Sequence, residues 1–187
     1  MRAVFLDRDG VLNDKLPEGH YVTAPEELQL IPGVTQAVKC LNDGGWLVFL
    51  VTNQRGIALG KLTRAGLRAV HQKLEAEMEA AGAHLDGIYV CPHEKDSCDC
   101  RKPKPGLLFQ AKRDFPQINF GQSVMIGDAE SDMEAGKAAG CAGLIKIGAS
   151  STSGCICAAD LTEAVKLLAA SPFVDLKEEE RQHGSGC

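Results

Sequence analysis

The sequence is poor in aromatic residues, has no excess of positive charge and contains no long apolar run. Aromatic residues make up 5% of the 187 residues and hydrophobic residues 44%, so the core must be mainly aliphatic. The formal net charge of −5 argues against nucleic acid held by a general basic field. No segment approaches the length of a membrane span, and the N-terminus has no signal-peptide pattern. We therefore expect a cytoplasmic protein with neither a membrane nor a nucleic-acid partner.

Cysteine is abundant, with eight residues, and four residues of one short segment have the chemistry of a zinc site. In a cytosolic protein such clusters bind metal more often than they form disulfides. Three thiolates and one imidazole match a closed tetrahedral site, so we expect structural zinc, which would hold the loop leading to Arg101 and Lys102. The alternative is four reduced side chains in a loop. Cys155 and Cys157 form a lone pair, for which we expect no metal and leave the role open. The four expected zinc ligands are Cys91, His93, Cys98 and Cys100.

Strand-like and helix-like segments alternate along the chain, which predicts a parallel sheet covered by helices on both faces. A helix is expected over 34–42, a longer one begins after Thr63 and ends at Gly82, and Asp160 with Glu163 has the spacing of a capping box for another. Expected strands lie near 3–6, 47–51, 87–91, 123–126 and 143–147.

The predicted domain organisation is a single α/β domain over residues 1–170, followed by a flexible tail over 171–187. The zinc loop spans 91–100. The segments between the expected motifs are too short to fold an independent core, so the site should be open and nearly without a cap.

The first strand-like run ends in two carboxylates, Asp7 and Asp9, followed by Gly10. In a parallel sheet the carboxyl ends of strands face the ligand crevice. Bringing two acids together there is costly, because like charges raise each other's pKa, so the pair indicates a cation and chemistry. The alternative is a solvated turn after an ordinary strand.

Three later segments repeat this pattern of polar residues at the ends of strands or the start of a helix. Thr52 follows the second strand. Lys102 lies in a proline-bounded segment, 101–106, at the start of an expected helix, and Asp128 and Asp132 follow the fourth strand. In this order the segments resemble the four motifs of the haloacid dehalogenase (HAD) superfamily. The resemblance implies a Rossmann-like HAD fold over most of the chain and, because Asp9 is present, the chemistry of the superfamily's phosphatases.

The resemblance also implies the roles of the acids. Asp7, kept ionised by a cation, would attack phosphorus and form an aspartyl phosphate. A neutral Asp9 would protonate the leaving oxygen and then deprotonate the water that hydrolyses the intermediate. Mg²⁺ would be bound by Asp7, Asp128 and the backbone carbonyl of Asp9, with Asp132 orienting Asp128 or a metal-bound water.

Two further residues are expected at the transferring phosphate. Thr52 would donate its hydroxyl to the phosphate. Lys102 would place one positive charge on the phosphate and the nucleophile, although most lysines are solvated surface residues.

The complete motif set resembles the family of heptose 1,7-bisphosphate 7-phosphatases and histidinol-phosphate phosphatases. Residues 19–22, 54–58 and 104–107 favour the heptose enzymes, which belong to lipopolysaccharide-type heptose synthesis. Those enzymes usually have Arg where this chain has Leu59, and some have Lys in place of Ala129. Histidinol phosphate and other phosphomonoesters therefore stay open, as does a non-catalytic phosphosugar-binding role.

Substrate contacts are expected from the residues after the second strand and from Arg101. For a second phosphate Arg55, Lys61 and Arg101 are the candidates, and Arg101 is the best because a guanidinium can bind phosphate bidentately. We expect a small phosphorylated sugar as partner and a monomeric enzyme. The expected substrate-binding residues are Asn53, Gln54, Arg55 and Arg101.

Overall fold

A parallel sheet forms the centre of the molecule. The structure is a computed structural model and describes residues 1–148 and 154–170. In these residues the sheet has six strands: β1 Ala3–Leu6, β2 Leu47–Asn53, β3 Gly87–Cys91, β4 Val124–Gly127, β5 Gly143–Ile147 and β6 Ile156–Ala158. Their order in the sheet is β3-β2-β1-β4-β5-β6, and every neighbouring pair is parallel.

Helices cover both faces of the sheet, because successive side chains of each strand point to opposite sides. The helices are α1 Val34–Asp43, α2 Arg64–Ala80, α3 Gly106–Asp114, α4 Glu130–Ala139 and α5 Leu161–Ala169, with short 3-10 turns at Pro25–Glu27 and Phe120–Gln122. On one face of the sheet Val4 and Leu6 pack with buried residues of α1, α2 and α5. On the other face Ala3 and Phe5 pack with buried residues of α3 and α4.

The predicted fold class is confirmed, and each predicted strand is present within two residues of its expected bounds. The Thr63 hydroxyl caps α2 by accepting from the Gly66 backbone N–H at 2.9 Å, but α2 ends at Ala80 rather than Gly82. The Asp160 side chain caps α5 by accepting from the Glu163 N–H. The sequence pattern did not predict α4, or β6, which has only three residues.

The segments around the strand ends are short, as predicted. Between β1 and α1 the only helical element that the structure describes is the turn Pro25–Glu27, and between β2 and α3 lie α2, β3 and the cysteine loop. No helix in the described residues is long and apolar enough to cross a membrane. The tail predicted over 171–187 lies outside the described residues.

Candidate active site

The carboxyl ends of three adjacent strands bring the predicted acids together. Pairing of β1 with both β2 and β4 aligns their ends, so Asp7 lies beside Asp128. Gly10 has a positive φ of +88°, and a Cβ there would lie 2.6 Å from Asp128 Oδ2. Glycine is therefore required at position 10 both for the turn and for the close approach of the second acid.

Three carboxylates form an oxygen cluster at this edge: Asp7, Asp128 and Asp132 each offer an oxygen atom within 4.8 Å of the others. Burial, together with the charges of Asp132 and Asp9, raises the pKa of Asp7 to about 6, although Lys102 opposes the shift. A cluster of hard oxygen donors that is short of positive charge fits a small divalent cation such as Mg²⁺. The side chain of Asp9 lies outside this cluster, so any contribution of Asp9 to such a site would come from its backbone carbonyl.

Lys102 is buried among the acids, with 3% of its surface exposed. Its Nζ lies 2.9 Å from Asp7 Oδ1 and 2.5 Å from Asp132 Oδ1, and it donates to the Val51 carbonyl at 2.7 Å. Burial alone would lower the pKa of Lys102, but the two carboxylates raise it. The structure thus places the predicted lysine directly on the predicted nucleophile.

Asp132 bonds to the buried lysine and to a backbone N–H. Its Oδ1 pairs with Lys102 and its Oδ2 accepts from the Ala129 N–H at 3.0 Å, and one of its oxygens lies within 4.8 Å of an Asp128 oxygen. Gly127 leaves room for Asp132, since a Cβ there would lie 2.3 Å from the Asp132 side chain. Asp132 therefore both stabilises the first turn of α4 and balances the charge of the buried lysine. The role of Asp132 in orienting Asp128 or a metal-bound water stays a prediction.

The Asp9 carboxylate is surrounded by hydrogen-bond donors. Arg8 Nη2 donates to both of its oxygens at 2.9 and 3.1 Å, and Asn13 Nδ2 and Gln54 Nε2 each donate at 3.0 Å. Burial would raise the pKa of Asp9, but Arg8, Asn13 and Gln54 lower it. This environment favours the ionised form of Asp9, whereas the predicted proton donor is a neutral acid, and that role stays a prediction. The difference arises from Arg8, which is fully buried and was not predicted as a site residue.

The residues at the end of β2 have divided roles. Thr52 is 1% exposed, and its Oγ1 accepts from Gln54 Nε2 at 2.9 Å. Asn53 donates to the Lys102 carbonyl at 3.0 Å and accepts from the Lys102 N–H at 3.2 Å. Asn53 therefore holds the loop that carries the buried lysine. The sequence pattern did not predict this contact of Asn53.

The four predicted substrate-binding residues do not all face the same space. Asn53 and Arg101 line the cavity above the acids, whereas Gln54 is buried against Asp9. Arg55 pairs with Glu94 of the cysteine loop, its Nε lying 2.5 Å from Oε1. The roles of these residues in binding stay predictions.

Two cavities adjoin at this edge of the sheet. The acid cavity, of about 270 Å³, is lined by the carboxylates Asp7, Asp9, Asp128 and Asp132 and by the segment 15–22. The basic cavity, of about 360 Å³, is lined by four cationic side chains, those of Lys95, Arg101, Lys102 and Lys104. The two cavities share Asn53, Arg101, Lys102 and Ser131.

Segment 15–22 contributes a cation that sequence analysis missed. Lys15 Nζ pairs with Asp128 Oδ2, from a position 113 residues away in the chain. No local pattern around Lys15 indicates this contact, because it depends on how the segment folds back over the strand ends.

The predicted zinc ligands converge. Among the four ligand atoms, neighbouring pairs lie 3.3 to 3.7 Å apart, and all four lie within 4.8 Å of one another. A tetrahedron with metal bonds of about 2.3 Å has edges of about 3.8 Å, so the spacing fits zinc. Burial and the neighbouring thiols raise the pKa of Cys100 to about 12, whereas hydrogen bonds from the backbone and from Cys100 and Cys91 lower that of Cys98 to about 7. The soft donor set and its compactness both fit a closed structural site.

The sheet order, the acids at the strand ends and the buried lysine are typical of an α/β enzyme and make the carboxyl edge of the sheet the candidate reaction centre. Residues 5–140 match the model of the haloacid dehalogenase-like hydrolases, and the chain belongs to this family. The predicted resemblance and the predicted enzyme class are therefore confirmed.

Several relatives share a more specific name. The chain is 44% identical over 146 residues to D-glycero-beta-D-manno-heptose-1,7-bisphosphate 7-phosphatase of Vibrio cholerae, covering 74% of this chain and 76% of that protein. It is 35% identical to the corresponding alpha-heptose enzyme of Mycobacterium bovis, covering 81% and 82%. The structure of the D,D-heptose 1,7-bisphosphate phosphatase from Bordetella bronchiseptica, complexed with magnesium and phosphate, superposes with a TM-score of 0.83 at 31% identity, covering 91% of this chain and 99% of that one.

Proposed function

We propose that this hydrolase removes the 7-phosphate of heptose 1,7-bisphosphate through an aspartyl-phosphate intermediate. The observation that carries the proposal is the pair of adjoining cavities, one lined by acids and one by cations, which share Arg101 and Lys102. A sugar with two phosphates needs both kinds of site, one for reaction and one for binding. The names of the relatives support the same substrate.

In the proposed reaction an Asp7 carboxylate oxygen attacks the 7-phosphorus, and the bond from phosphorus to the sugar oxygen breaks. Asp9 gives its proton to the departing oxygen, then takes a proton from the water that hydrolyses the aspartyl phosphate. Arg8 stabilises the ionised form of Asp9, which is the form that takes the proton from water in the second step. Thr52 and Lys102 stabilise the charge on the transferring phosphate.

The metals have separate proposed roles. Asp7, Asp128 and the carbonyl of Asp9 would hold Mg²⁺, which when bound neutralises charge at the reacting phosphate. The cluster Cys91, His93, Cys98 and Cys100 would hold structural zinc and keep the following loop in place. That loop carries both Arg101 and Lys102, so the zinc would support the reaction without entering it.

Arg101 is the proposed anchor for the phosphate that does not react. It lines both cavities, and its buried Nη1 makes no hydrogen bond within the part of the chain that the structure describes. Lys95 and Lys104 add positive charge to the lining of the basic cavity. A phosphate bound there would orient the sugar so that the other phosphorus lies in line with Asp7.

The substrate test compares kcat/KM of the wild-type enzyme on heptose 1,7-bisphosphate and on histidinol phosphate, in buffer containing Mg²⁺. We expect the heptose to be the better substrate, and its two anomers can be ranked by initial rates. Clear preference for histidinol phosphate would overturn the heptose assignment in favour of that amino-alcohol ester. Poor turnover of both would point to another phosphorylated substrate, and no Mg²⁺-dependent turnover of any phosphomonoester would favour a binding protein.

The anchor test uses Arg101→Ala, with Arg113→Ala on the exposed surface of α3 as the matched control. Loss of a charged contact should lower kcat/KM on the bisphosphate by about tenfold to a thousandfold. Turnover of a small aryl phosphate should fall much less, and the control should match wild type on both substrates. An equal loss on both substrates would remove Arg101 from the anchoring role.

We also propose a cytoplasmic monomer. The seven cysteines in the described residues form no disulfide with one another, which supports a reducing compartment. Sedimentation of the active enzyme at micromolar concentration would test the monomer.

A further inference from the structure

The Arg8 guanidinium is fully buried between the loop of the acids and helix α2. Its Nη2 contacts both oxygens of Asp9, and its Nε lies 3.3 Å from Asp9 Oδ1. Its Nη1 lies 3.4 Å from Nε2 of His71, a residue of α2 with 7% of its surface exposed. A continuous line of contacts therefore joins α2 to the proposed acid–base residue.

His71 can only be an acceptor in this arrangement. A guanidinium has five N–H donors and no acceptor, so the imidazole must present a lone pair at Nε2 and carry its proton on Nδ1. Burial and the neighbouring charge of Arg8 lower the pKa of His71 to about 4, which keeps the ring neutral. His71 thus fixes one end of the guanidinium without adding charge.

We propose that His71 is a positioning residue that acts through Arg8 to set the orientation of the Asp9 carboxylate. The inference rests on the proposed function, in which Asp9 exchanges protons with the leaving oxygen and with water. With Nη1 held by His71, the position of Nη2 is set, and Nη2 binds both oxygens of Asp9. Without that acceptor the guanidinium is free to turn with the carboxylate, and the starting geometry for proton transfer is lost.

The reaction offers a readout that general loss of stability would not change. A sugar alkoxide is a poor leaving group and needs a proton from Asp9, whereas 4-nitrophenolate leaves readily without one. Displacement of Asp9 should therefore slow an alkyl ester more than an aryl ester. The ratio of the two rates reports on the position of Asp9 itself.

The variant that tests the proposal is His71→Phe, which keeps a buried ring but removes the acceptor. We expect kcat on the alkyl ester to fall by about ten- to a hundredfold, and kcat on 4-nitrophenyl phosphate by no more than about threefold. The alkyl ester is heptose 1,7-bisphosphate, or histidinol phosphate if the wild-type enzyme prefers it. His71→Gln, which can still accept through Oε1, should restore the wild-type ratio to within about threefold.

Two controls separate positioning from folding. Leu74→Ala, in the same helix and fully buried, should lower the melting temperature but leave the ratio of rates unchanged. Arg8→Lys removes the two-point contact with Asp9, so adding His71→Phe to it should cause no further loss on the alkyl ester.

Equal losses on both esters in His71→Phe, a changed ratio in Leu74→Ala, or additive losses in the double variant would each overturn the role of His71. If the wild-type enzyme hydrolyses an alkyl ester and His71→Phe matches it, the positioning role alone fails. If the wild-type enzyme hydrolyses neither ester, the proposed function fails, and the role of His71 fails with it.

Discussion

Replacing Lys102 with methionine should destabilise the protein strongly as well as inactivate it. Methionine keeps the length of the apolar side chain but removes the ammonium group that lies between Asp7 and Asp132. Lys102 is 3% exposed and Asp132 is 1% exposed, so water cannot solvate the Asp132 carboxylate once the ammonium group is gone. Two carboxylates would then share a buried site without a cation.

The expected loss of stability can be sized from the burial of Lys102 and its two carboxylate partners. Removing one partner of a buried ion pair costs about 3–5 kcal/mol of free energy of unfolding, because the other partner stays behind as an unpaired charge. The whole free energy of unfolding of a domain is only about 5–15 kcal/mol, so the Lys102→Met protein should unfold at a much lower denaturant concentration than wild type.

The loss should also depend on pH. The pKa of Asp7 is already raised to about 6 with Lys102 present, and it should rise further without it. A folded-state pKa above the unfolded value favours the folded state at low pH, and this advantage is lost as the pH rises through the folded-state pKa. The deficit of Lys102→Met relative to wild type should therefore be small near pH 5 and complete by about pH 8.

Urea unfolding at both pH values in magnesium-free buffer, with turnover of an aryl phosphate measured in parallel, tests this reasoning. Lys104→Met is the matched control, because Lys104 is in the same loop but pairs with the fully exposed Asp99. That variant should match wild-type stability. A second variant, Lys102→Met with Asp132→Asn, also removes one of the carboxylates left unpaired, so it should be more stable than Lys102→Met but equally inactive. A Lys102→Met protein as stable as wild type at pH 8 would refute the argument, as would a deficit that does not change with pH.

Three further predictions concern the metals and the buried histidine. Purified protein should contain about one zinc per chain by metal analysis, and Cys98→Ser should lose that zinc and melt at a lower temperature; zinc-free protein with normal melting and turnover would contradict a structural role. Asp128→Ala should raise the Mg²⁺ concentration needed for half-maximal activity by at least about tenfold while the zinc content stays unchanged, and an unaltered Mg²⁺ dependence would exclude Asp128 as a ligand. Because the pKa of His71 is lowered to about 4, its contribution to stability is present above the unfolded pKa of about 6.5 and is lost as the pH falls toward 4. Relative to His71→Gln, the wild-type protein should therefore lose about 2 kcal/mol of free energy of unfolding between pH 8 and pH 5, and parallel urea curves for the two proteins would show that the ring is not buried as described.

The sequence by itself determined the features that depend on local pattern. Apolar runs followed by acids identified β1 and β4 and placed Asp7 and Asp128 at the same edge of a parallel sheet, because strands in such a sheet share a direction. The zinc ligands could be read from the sequence because they lie within ten residues of one another, where the chain has few ways to separate them. The Thr63 cap was predictable for the same reason, since donor and acceptor are three residues apart.

Only the tertiary structure decided which distant side chains meet. Arg8 looks like a solvated charge between two acids, but packing of α2 over the loop buries it and supplies His71 as its acceptor. Lys102 was expected near Asp7, but its second partner Asp132 is set by the start of α4. The adjoining acid and basic cavities likewise arise from segments far apart in the chain. Such contacts depend on how helices and loops pack on the sheet, and no spacing along the sequence encodes them, because many pairings of buried charges satisfy the same local pattern.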